Sequence, residues 1–278
     1  MPTVAEALRK AARVLRSVSD TARLDAELLM AEALGVPRSD MLLRRMTDEA
    51  PKSFEPFVDR RLDHEPIAYI VGTQEFFGRV FHVTPDVLIP RADSEATLGA
   101  ALAARPDPRR VLDCGTGSGA LLLSLLAERP LAAGVGVDRS AAALSVAKGN
   151  ATRLGLADRA ELRHADWTVA GWTGGLGRFD LVIANPPYVE EAAALDPSVR
   201  DHEPAGALFA GLEGLGDYRV LVPQLPALLG PEGAAVLEIG ASQADAVAQI
   251  AAQVGFRCEL RRDLAGRSRA LVLRLGLV

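Results

Sequence analysis

Over the first seventy residues, apolar positions recur at helical intervals. Val4, Ala7, Leu8, Ala11, Val14, Leu15 and Val18 follow an i, i+3, i+4 rhythm that lays one face of a helix against a core. A second helix is expected after Asp20, with Leu24, Leu28, Ala31 and Leu34 on its apolar face and a stop at Gly35, just ahead of Pro37. Shorter helices around residues 40–45 and 53–62 complete a small bundle. The rhythm then changes. In QEFFGRVFHVTPDVLI, residues 74–89, aromatic and β-branched residues flank Gly78, the pattern of a hairpin. PRADSE, residues 90–95, opens another helix. From about residue 109, apolar runs alternate with helical stretches. The runs are Arg110–Cys114, Ala133–Asp138, 160–163, Phe179–Ala184, 234–239, 256–260 and 270–275; the helices include Ala120–Glu128, 141–154 and 243–254. Such alternation predicts an α/β fold, a seven-stranded, mostly parallel sheet with helices on both faces. The expected organisation is a helical N-terminal domain over 1–72, a hairpin link over 73–89 and a Rossmann-like domain over 90–278.

The first strand of that sheet runs into a glycine turn, VLDCGTGSGALLLSLLAE. Gly115, Gly117 and Gly119 permit positive φ and close backbone approach, and the helix that follows offers unpaired N–H groups. In sheets of this kind ligands sit at the carboxyl ends of the strands. The loop Gly115-Thr116-Gly117-Ser118-Gly119 therefore reads as a cofactor cradle. Its spacing fits a dinucleotide as well as S-adenosylmethionine. Asp113, at the end of the strand, favours the second, since a carboxylate repels a pyrophosphate and attracts the amino group of a methionine moiety. Asp138 ends the second strand, placed for ribose hydroxyls, which both cofactors carry. Asp166 and Trp167 follow the third strand, an acceptor for an adenine amino group and an indole for stacking.

The fourth strand ends abruptly in Asn185-Pro186-Pro187-Tyr188. Neither proline has an N–H for a ladder, and Pro187 forces Pro186 into extended geometry. The result is a stiff corner with free carbonyls, the Asn185 side-chain oxygen as a further acceptor and the Tyr188 ring as a flat wall. Such a corner fits a planar –NH2 group. With both hydrogens on acceptors, a delocalised nitrogen can pyramidalise and aim its lone pair at an electrophilic methyl group, while acceptor dipoles stabilise the positive charge that develops. The same tetrapeptide as a plain turn is the competing reading.

Composition removes several alternatives. The chain has 278 residues, a formal charge of −5 and two cysteines, Cys114 and Cys258, without metal-ligand spacing. The four histidines are scattered, so no metal site is expected. The acidic balance gives no global reason to bind nucleic acid. No apolar run approaches the ~20 residues that span a bilayer, and the N-terminus lacks a signal-peptide core, so the protein reads as cytoplasmic. A monomer is the default expectation.

Taken with RLDAELL (23–29), EPIAYIVGTQEFFG (65–78), LIPRADSE (88–95), LDCGTGSGA (112–120) and EPAGAL (203–208), the chain resembles, over essentially its full length, the bacterial protein-(glutamine-N5) methyltransferases that modify class 1 peptide chain release factors. The resemblance implies methyl transfer from S-adenosylmethionine to the glutamine amide of a Gly-Gly-Gln loop, modulating translation termination. It implies cofactor contacts from the 115–119 loop, Asp138, Trp167 and Asn185, a glutamine site made by Asn185 (touching cofactor and substrate alike), Pro186, Pro187 and Tyr188, and a helical domain that grips the release factor. Cys114, Ser118 and Ser94 depart conservatively from the family pattern. A relative acting on a ribosomal-protein glutamine is the near alternative. An N6-adenine DNA methyltransferase shares the Asn-Pro-Pro-Tyr corner, but this chain has no recognisable target-reading domain. Loop 189–218, rich in glycine, is expected to close over the glutamine.

Overall fold

The computed structural model describes residues 2–276, which divide into two compact units: residues up to Thr73 together with Leu195–His202, and Gln74–Ala194 together with Glu203 onwards.

In the first unit, α1 (Val4–Val14) starts from a reciprocal capping box. The Thr3 hydroxyl accepts from the Glu6 N–H, and the Glu6 carboxylate accepts from the Thr3 N–H at 2.8 Å. α2 (Ala22–Leu34) ends, as expected, on Gly35 in the left-handed conformation, φ 64°. α3 (Arg38–Arg44), α4 (Phe54–Leu62) and α5 (Ile67–Val71) complete the bundle. The buried face of α2 differs from the expected one. Leu24 is 42% exposed, whereas Ala22, Ala26, Leu29 and Met30 are buried beside the carboxylates of Asp25 and Glu27. This helix is apolar on several sides, so periodicity alone does not select its face. The selection comes from arginines beyond the helix: Arg61 donates to Asp25 at 2.9 Å, and Arg38 reaches Glu27, where Arg23 of the same helix joins it. Unpaired, either carboxylate would be too costly to bury.

The second unit opens with a hairpin, β1 (Thr73–Phe76; its first residue belongs to the first unit) and β2 (Arg79–His82). Phe77 and Gly78 form its two-residue turn with φ of 49° and 70°, the pair of positive values a tight hairpin turn needs. Phe76 and Phe81 meet edge to face at 6.3 Å and are buried in the core of this unit. α6 (Ser94–Ala104) follows. The chain then builds β3 (Arg110–Cys114), α7 (Ala120–Glu128), β4 (Ala133–Asp138), α8 (Ala141–Arg153), β5 (Ala160–His164) and β6 (Phe179–Ala184). After the short α9 (Pro197–Arg200), which belongs to the first unit, come α10 (Gly216–Leu221), α11 (Leu225–Leu228), β7 (Leu229–Glu238), α12 (Ala244–Ala252), β8 (Phe256–Arg262) and β9 (Ser268–Leu275).

Seven strands form one sheet in the order β5-β4-β3-β6-β7-β9-β8. Pairs from β5 through β7 are parallel; β9 runs antiparallel to both neighbours. Alternate residues serve opposite faces. Leu112, Cys114, Val182 and Ala184 join Tyr218, Leu221 and Val247 in one core, while Val111, Leu181 and Ile183 join Leu98, Leu122 and Leu126 in the other. Burial on both sides explains why these strands read as continuous apolar runs. β7 begins five residues before the expected 234, because the Gly230-Pro231-Glu232-Gly233 stretch carries the composition of a turn although Leu229 already pairs with Phe179. The order of connections reverses at β3, which has β4 on one side and β6 on the other. The carboxyl ends of β3, β4 and β6 thus converge on a crevice at the switch point.

Candidate functional site

A cleft of about 190 Å³ occupies that crevice. Among its lining residues are Gly115, Thr116, Gly117, Ser118, Asp138, Asp166, Trp167, Asn185 and Pro187, with Leu88–Arg91 and Pro204, Gly206 and Ala207 as further walls. Of the residues singled out in the sequence, these share one cavity. Asp113, Gly119, Pro186 and Tyr188 are not among its lining residues, although each is next in the chain to a residue that is or, for Asp113, lies two positions before one.

The loop is held in place from below. The N–H groups of Gly115 and Thr116 both donate to the Val137 carbonyl, at 2.9 and 3.0 Å. Gly115, at φ 76°, lies flat against Trp167, and a Cβ there would sit 3.1 Å from the indole. Gly119, φ 82°, starts α7 with no room for a side chain, since a Cβ would fall 2.9 Å from Leu123. Asp138 ties the loop to the next element: its Oδ2 accepts from the Gly117 N–H and its Oδ1 from the Ser140 N–H, both at 2.9 Å. Asn150, which sequence reasoning passed over, reaches from α8 to the Ser118 carbonyl and to both the N–H and C=O of His82, stapling hairpin, helix and loop together. A lone Asn in a helix carries no signal of such a role.

Asp113 is buried under this loop, 1% exposed. Its Oδ2 accepts from the Thr116 hydroxyl at 2.7 Å; its Oδ1 makes no hydrogen bond of normal geometry. Burial raises its pKa to about 7, the Thr116 hydroxyl opposes, the Asp138 charge adds to the rise, and the Leu122 N–H pulls weakly down. On the far wall the Trp167 indole N–H donates to Asp217 at 3.0 Å. Asp166 accepts from both the N–H and the hydroxyl of Thr168, which hold its pKa down.

Asn185 stands one residue beyond the last ladder pairs of β6, Cys114 with Ala184 and Ala184 with Leu237. It is therefore level with Gly115 on one side and Glu238 on the other. Pro186 and Pro187 are buried and Asn185 is half-exposed. The chain leaves the corner through Tyr188, whose carbonyl accepts from the Gln243 amide at 3.0 Å, and Val189, which bonds with Leu208 and Ala210. The Tyr188 hydroxyl lies 3.5 Å from Oε1 of Glu238, and burial followed by the Glu238 charge pushes the phenol up to about 12.

PRADSE lies along the same corner. Arg91 pairs with the buried Glu203, whose other oxygen accepts from the Ile89 N–H at 3.1 Å. Asp93 pairs with Arg269, and Glu95 caps the hairpin turn by accepting from the Phe77 N–H at 2.9 Å. Arg139, next to Asp138, donates to the Gly206 carbonyl at 2.5 Å. Segments 88–91 and 203–207 are thus strapped together along the cleft. Of loop 189–218, expected as one cover, residues 195–202 group instead with the first unit, where His202 bonds the Asp63 carbonyl at 3.0 Å.

Among the described residues there is no group of acidic, His and Cys side chains able to hold a metal ion, and no helix long and apolar enough to cross a membrane.

Residues 6–72 match the family described as PrmC N-terminal domain, and residues 107–208 match a methyltransferase domain. Among solved structures, an O-methyltransferase family protein from Burkholderia thailandensis aligns over 94% of this chain and 97% of its own, with TM-score 0.52 and 15% identity. A ribosomal protein L11 methylase from Lactobacillus delbrueckii subsp. bulgaricus aligns over 73% and 90%, at TM-score 0.51 and 20% identity. At such identities they show the fold alone. The sequence relatives say more. The release factor glutamine methyltransferase of Cereibacter sphaeroides is 43% identical, covering 98% of each chain, and that of Moorella thermoacetica 42%, covering 97% of this chain and 98% of its own. The Caulobacter vibrioides enzyme of the same name is 39% identical over 91% and 89%. With a methyltransferase sheet, a matching N-terminal domain and relatives this close from end to end, the chain belongs to the release factor glutamine methyltransferase family.

Proposed function

We propose that the protein methylates the side-chain amide nitrogen of the glutamine in the Gly-Gly-Gln motif of class 1 peptide release factors, using S-adenosylmethionine and thereby modulating translation termination. The observation that carries this reading is the position of Asn185-Pro186-Pro187-Tyr188, at the strand end beside the glycine loop and on the rim of the same cleft. The helical unit is assigned to docking the release factor and the α/β unit to the chemistry, with the protein acting as a cytoplasmic monomer.

The residues present fit the cofactor. Gly117, with nothing within 4 Å of the place a Cβ would take, leaves the loop backbone open to a ligand, and Asp113 keeps one buried oxygen unmatched, an acceptor that an ammonium group would complete. Asp138 is assigned to the ribose, Asp166 to the adenine amino group, and Trp167 to the base. When bound, the cofactor supplies an electrophilic methyl group on a sulfonium.

The chain's own part is to prepare the amide. Its nitrogen lone pair is delocalised into the carbonyl and is a poor nucleophile. Asn185 Oδ1 and the Pro186 carbonyl accept its two N–H groups, Pro187 keeps that carbonyl rigid, and Tyr188 supplies the flat wall. Held this way, the nitrogen turns its lone pair into the cleft, and the acceptor dipoles stabilise the positive charge that grows on it. The proton is lost after the methyl group arrives, so no strong base is required at the corner.

The direct test incubates the protein with S-adenosylmethionine and an unmodified class 1 release factor, with ribosomal proteins and adenine-containing DNA in parallel, and maps methyl groups by mass spectrometry. The expected product is one methyl on the Gly-Gly-Gln glutamine. Methylation confined to another substrate would move the proposal to that substrate.

Asp113 adds a pH test. Its pKa is raised from 3.8 to about 7, so the folded protein retains this proton through the interval between. Stability therefore falls as the pH rises across that interval, where the unfolded chain has released the proton and the folded one has not, and levels off above it. A bound ammonium reverses the preference by favouring the carboxylate, and binding therefore strengthens with pH. S-Adenosylhomocysteine, titrated calorimetrically, is expected to gain about tenfold in affinity between about pH 5.5 and 7.5. Asp113→Asn is expected to bind about tenfold more weakly at the upper pH and to flatten the dependence.

A further inference from the structure

β7 is apolar from Ala234 to Leu237 and then ends on a glutamate. Glu238 is 2% exposed. Its Oε2 accepts from the Thr97 hydroxyl at 3.2 Å, its Oε1 lies 3.5 Å from the Tyr188 hydroxyl, and its backbone carbonyl accepts from the Tyr218 hydroxyl at 2.7 Å. The charged and titratable groups around it come from several elements. They are Tyr188 at the corner, Tyr218 on α10, Asp93 before α6, and Arg269 on β9, which is itself paired with Asp93 and Asp263. Arg91 acts on Tyr188 and is paired with Glu203. Among the described residues no cation bonds the Glu238 carboxylate directly; Arg269 acts on it through its charge alone.

A neutral glutamine could accept from the same hydroxyls without the desolvation cost of a buried charge. What a carboxylate adds is charge, whose pull on a hydroxyl dipole persists across the 3.5 Å between Oε1 and the Tyr188 hydroxyl better than that of a neutral acceptor. The donor facing Oε1 is the tyrosine of the corner.

We propose that Glu238 is a positioning residue for methyl transfer: its carboxylate holds the Tyr188 hydroxyl and so keeps the ring against the amide gripped by Asn185 and Pro186. This rests on the glutamine-amide reading and deepens it. Tyr188 touches the substrate, and Glu238 acts through Tyr188. The grip belongs to the ionised form. Burial raises the Glu238 pKa to about 7, against the lowering effects of Ser94, Thr97 and Arg269 and reinforced by Asp93. Turnover at saturating methyl donor, where the Asp113 effect on binding drops out, is therefore expected to rise with pH through that value and then level.

The experiment measures kcat and KM on the release factor from about pH 5.5 to 8.5 for the wild type, Glu238→Gln, Tyr188→Phe and the double variant, with S-adenosylhomocysteine affinity determined in parallel. At the upper end of this range Glu238→Gln is expected to lose about tenfold in kcat, with cofactor affinity unchanged and the rise with pH abolished. Tyr188→Phe should lose a similar factor, and the double variant should lose no more than the worse single one. Should Glu238→Gln fail to fold, Thr97→Val serves instead: it removes a hydroxyl that lowers the Glu238 pKa, so the wild-type rise must move to higher pH. A Glu238→Gln profile identical to the wild type, a Thr97→Val profile that does not move, or factors that multiply in the double variant would each overturn the positioning role. A wild type that binds S-adenosylhomocysteine but leaves the release-factor glutamine unmodified would instead bring down the substrate reading, and this inference with it.

Discussion

Asn185→Ala is expected to lower kcat for glutamine methylation by about a thousandfold, the scale of losing one preorganised acceptor or donor from a charge-stabilising site. In the proposed clamp the corner offers the amide two acceptors, and alanine deletes one, leaving the Pro186 carbonyl to hold a single N–H. The nitrogen then stays conjugated and planar, with its lone pair unavailable. Asn185 is half-exposed at the end of β6, and the ladder stops before it, with Ala184 as the last paired residue. The fold does not lean on this side chain. Thermal unfolding is accordingly expected to stay within about 1 kcal/mol of the wild type, as for other substitutions away from buried networks. S-Adenosylhomocysteine affinity should change only a few-fold, because the 115–119 loop and Asp138 remain intact. Single-turnover assays on a release factor, beside calorimetric binding, separate these quantities. Retention of a tenth or more of the wild-type rate would show that the clamp does not depend on the asparagine.

Gly214→Ala carries the second large effect, and it arises where no chemistry takes place. Gly214 has φ 65°, and a Cβ there would lie 2.3 Å from the Tyr188 carbonyl oxygen and 2.8 Å from the Gln243 amide nitrogen. The first of these is backbone, so a rotamer change cannot relieve it. The Gln243 amide bridges the Tyr188 and Gly214 carbonyls at 3.0 and 3.1 Å. An added methyl therefore forces apart the joint that fixes the exit of the corner. Left-handed strain and steric displacement together are expected to cost about 3 kcal/mol or more, lowering the melting temperature of the α/β unit by roughly 6–10 °C. Turnover should fall at least tenfold as Tyr188 shifts, since small misplacements at a reacting centre carry large rate penalties. A comparison with Gly211→Ala supplies the control. Gly211 has φ 79° but nothing within 4 Å of its Cβ position, so the conformational strain recurs without the collision. Equal losses in the two variants would remove the role given to the joint.

Several features were legible because their physics is local. A glycine that must adopt positive φ, a proline without an N–H and a strand buried on both faces each leave their mark within a few residues. The turn at Phe77-Gly78, the stop of α2 at Gly35, the bounds of α7 and the strand ends carrying Asp113, Asp138 and Asn185 fall where those rules put them. The apolar face of α2 and the early start of β7 did not. In both, local pattern was overridden by partners far along the chain, Arg61 and Arg38 for the helix and Phe179 for the strand.

The sequence by itself thus determined the alternating fold, the glycine loop and the stiff Asn-Pro-Pro-Tyr corner, because each is specified by backbone freedom or the lack of it over a handful of residues. Only the tertiary structure decided how they are held. Asn150 is bound to a loop 32 residues before it, and Trp167 to Asp217 50 residues after it. Asp93 of PRADSE is locked to Arg269, and Glu238 comes to the Tyr188 hydroxyl across 50 positions. A single polar residue at the end of an apolar run gives no sign of its partner. Its meaning appears when folding removes it from water and leaves few groups within reach.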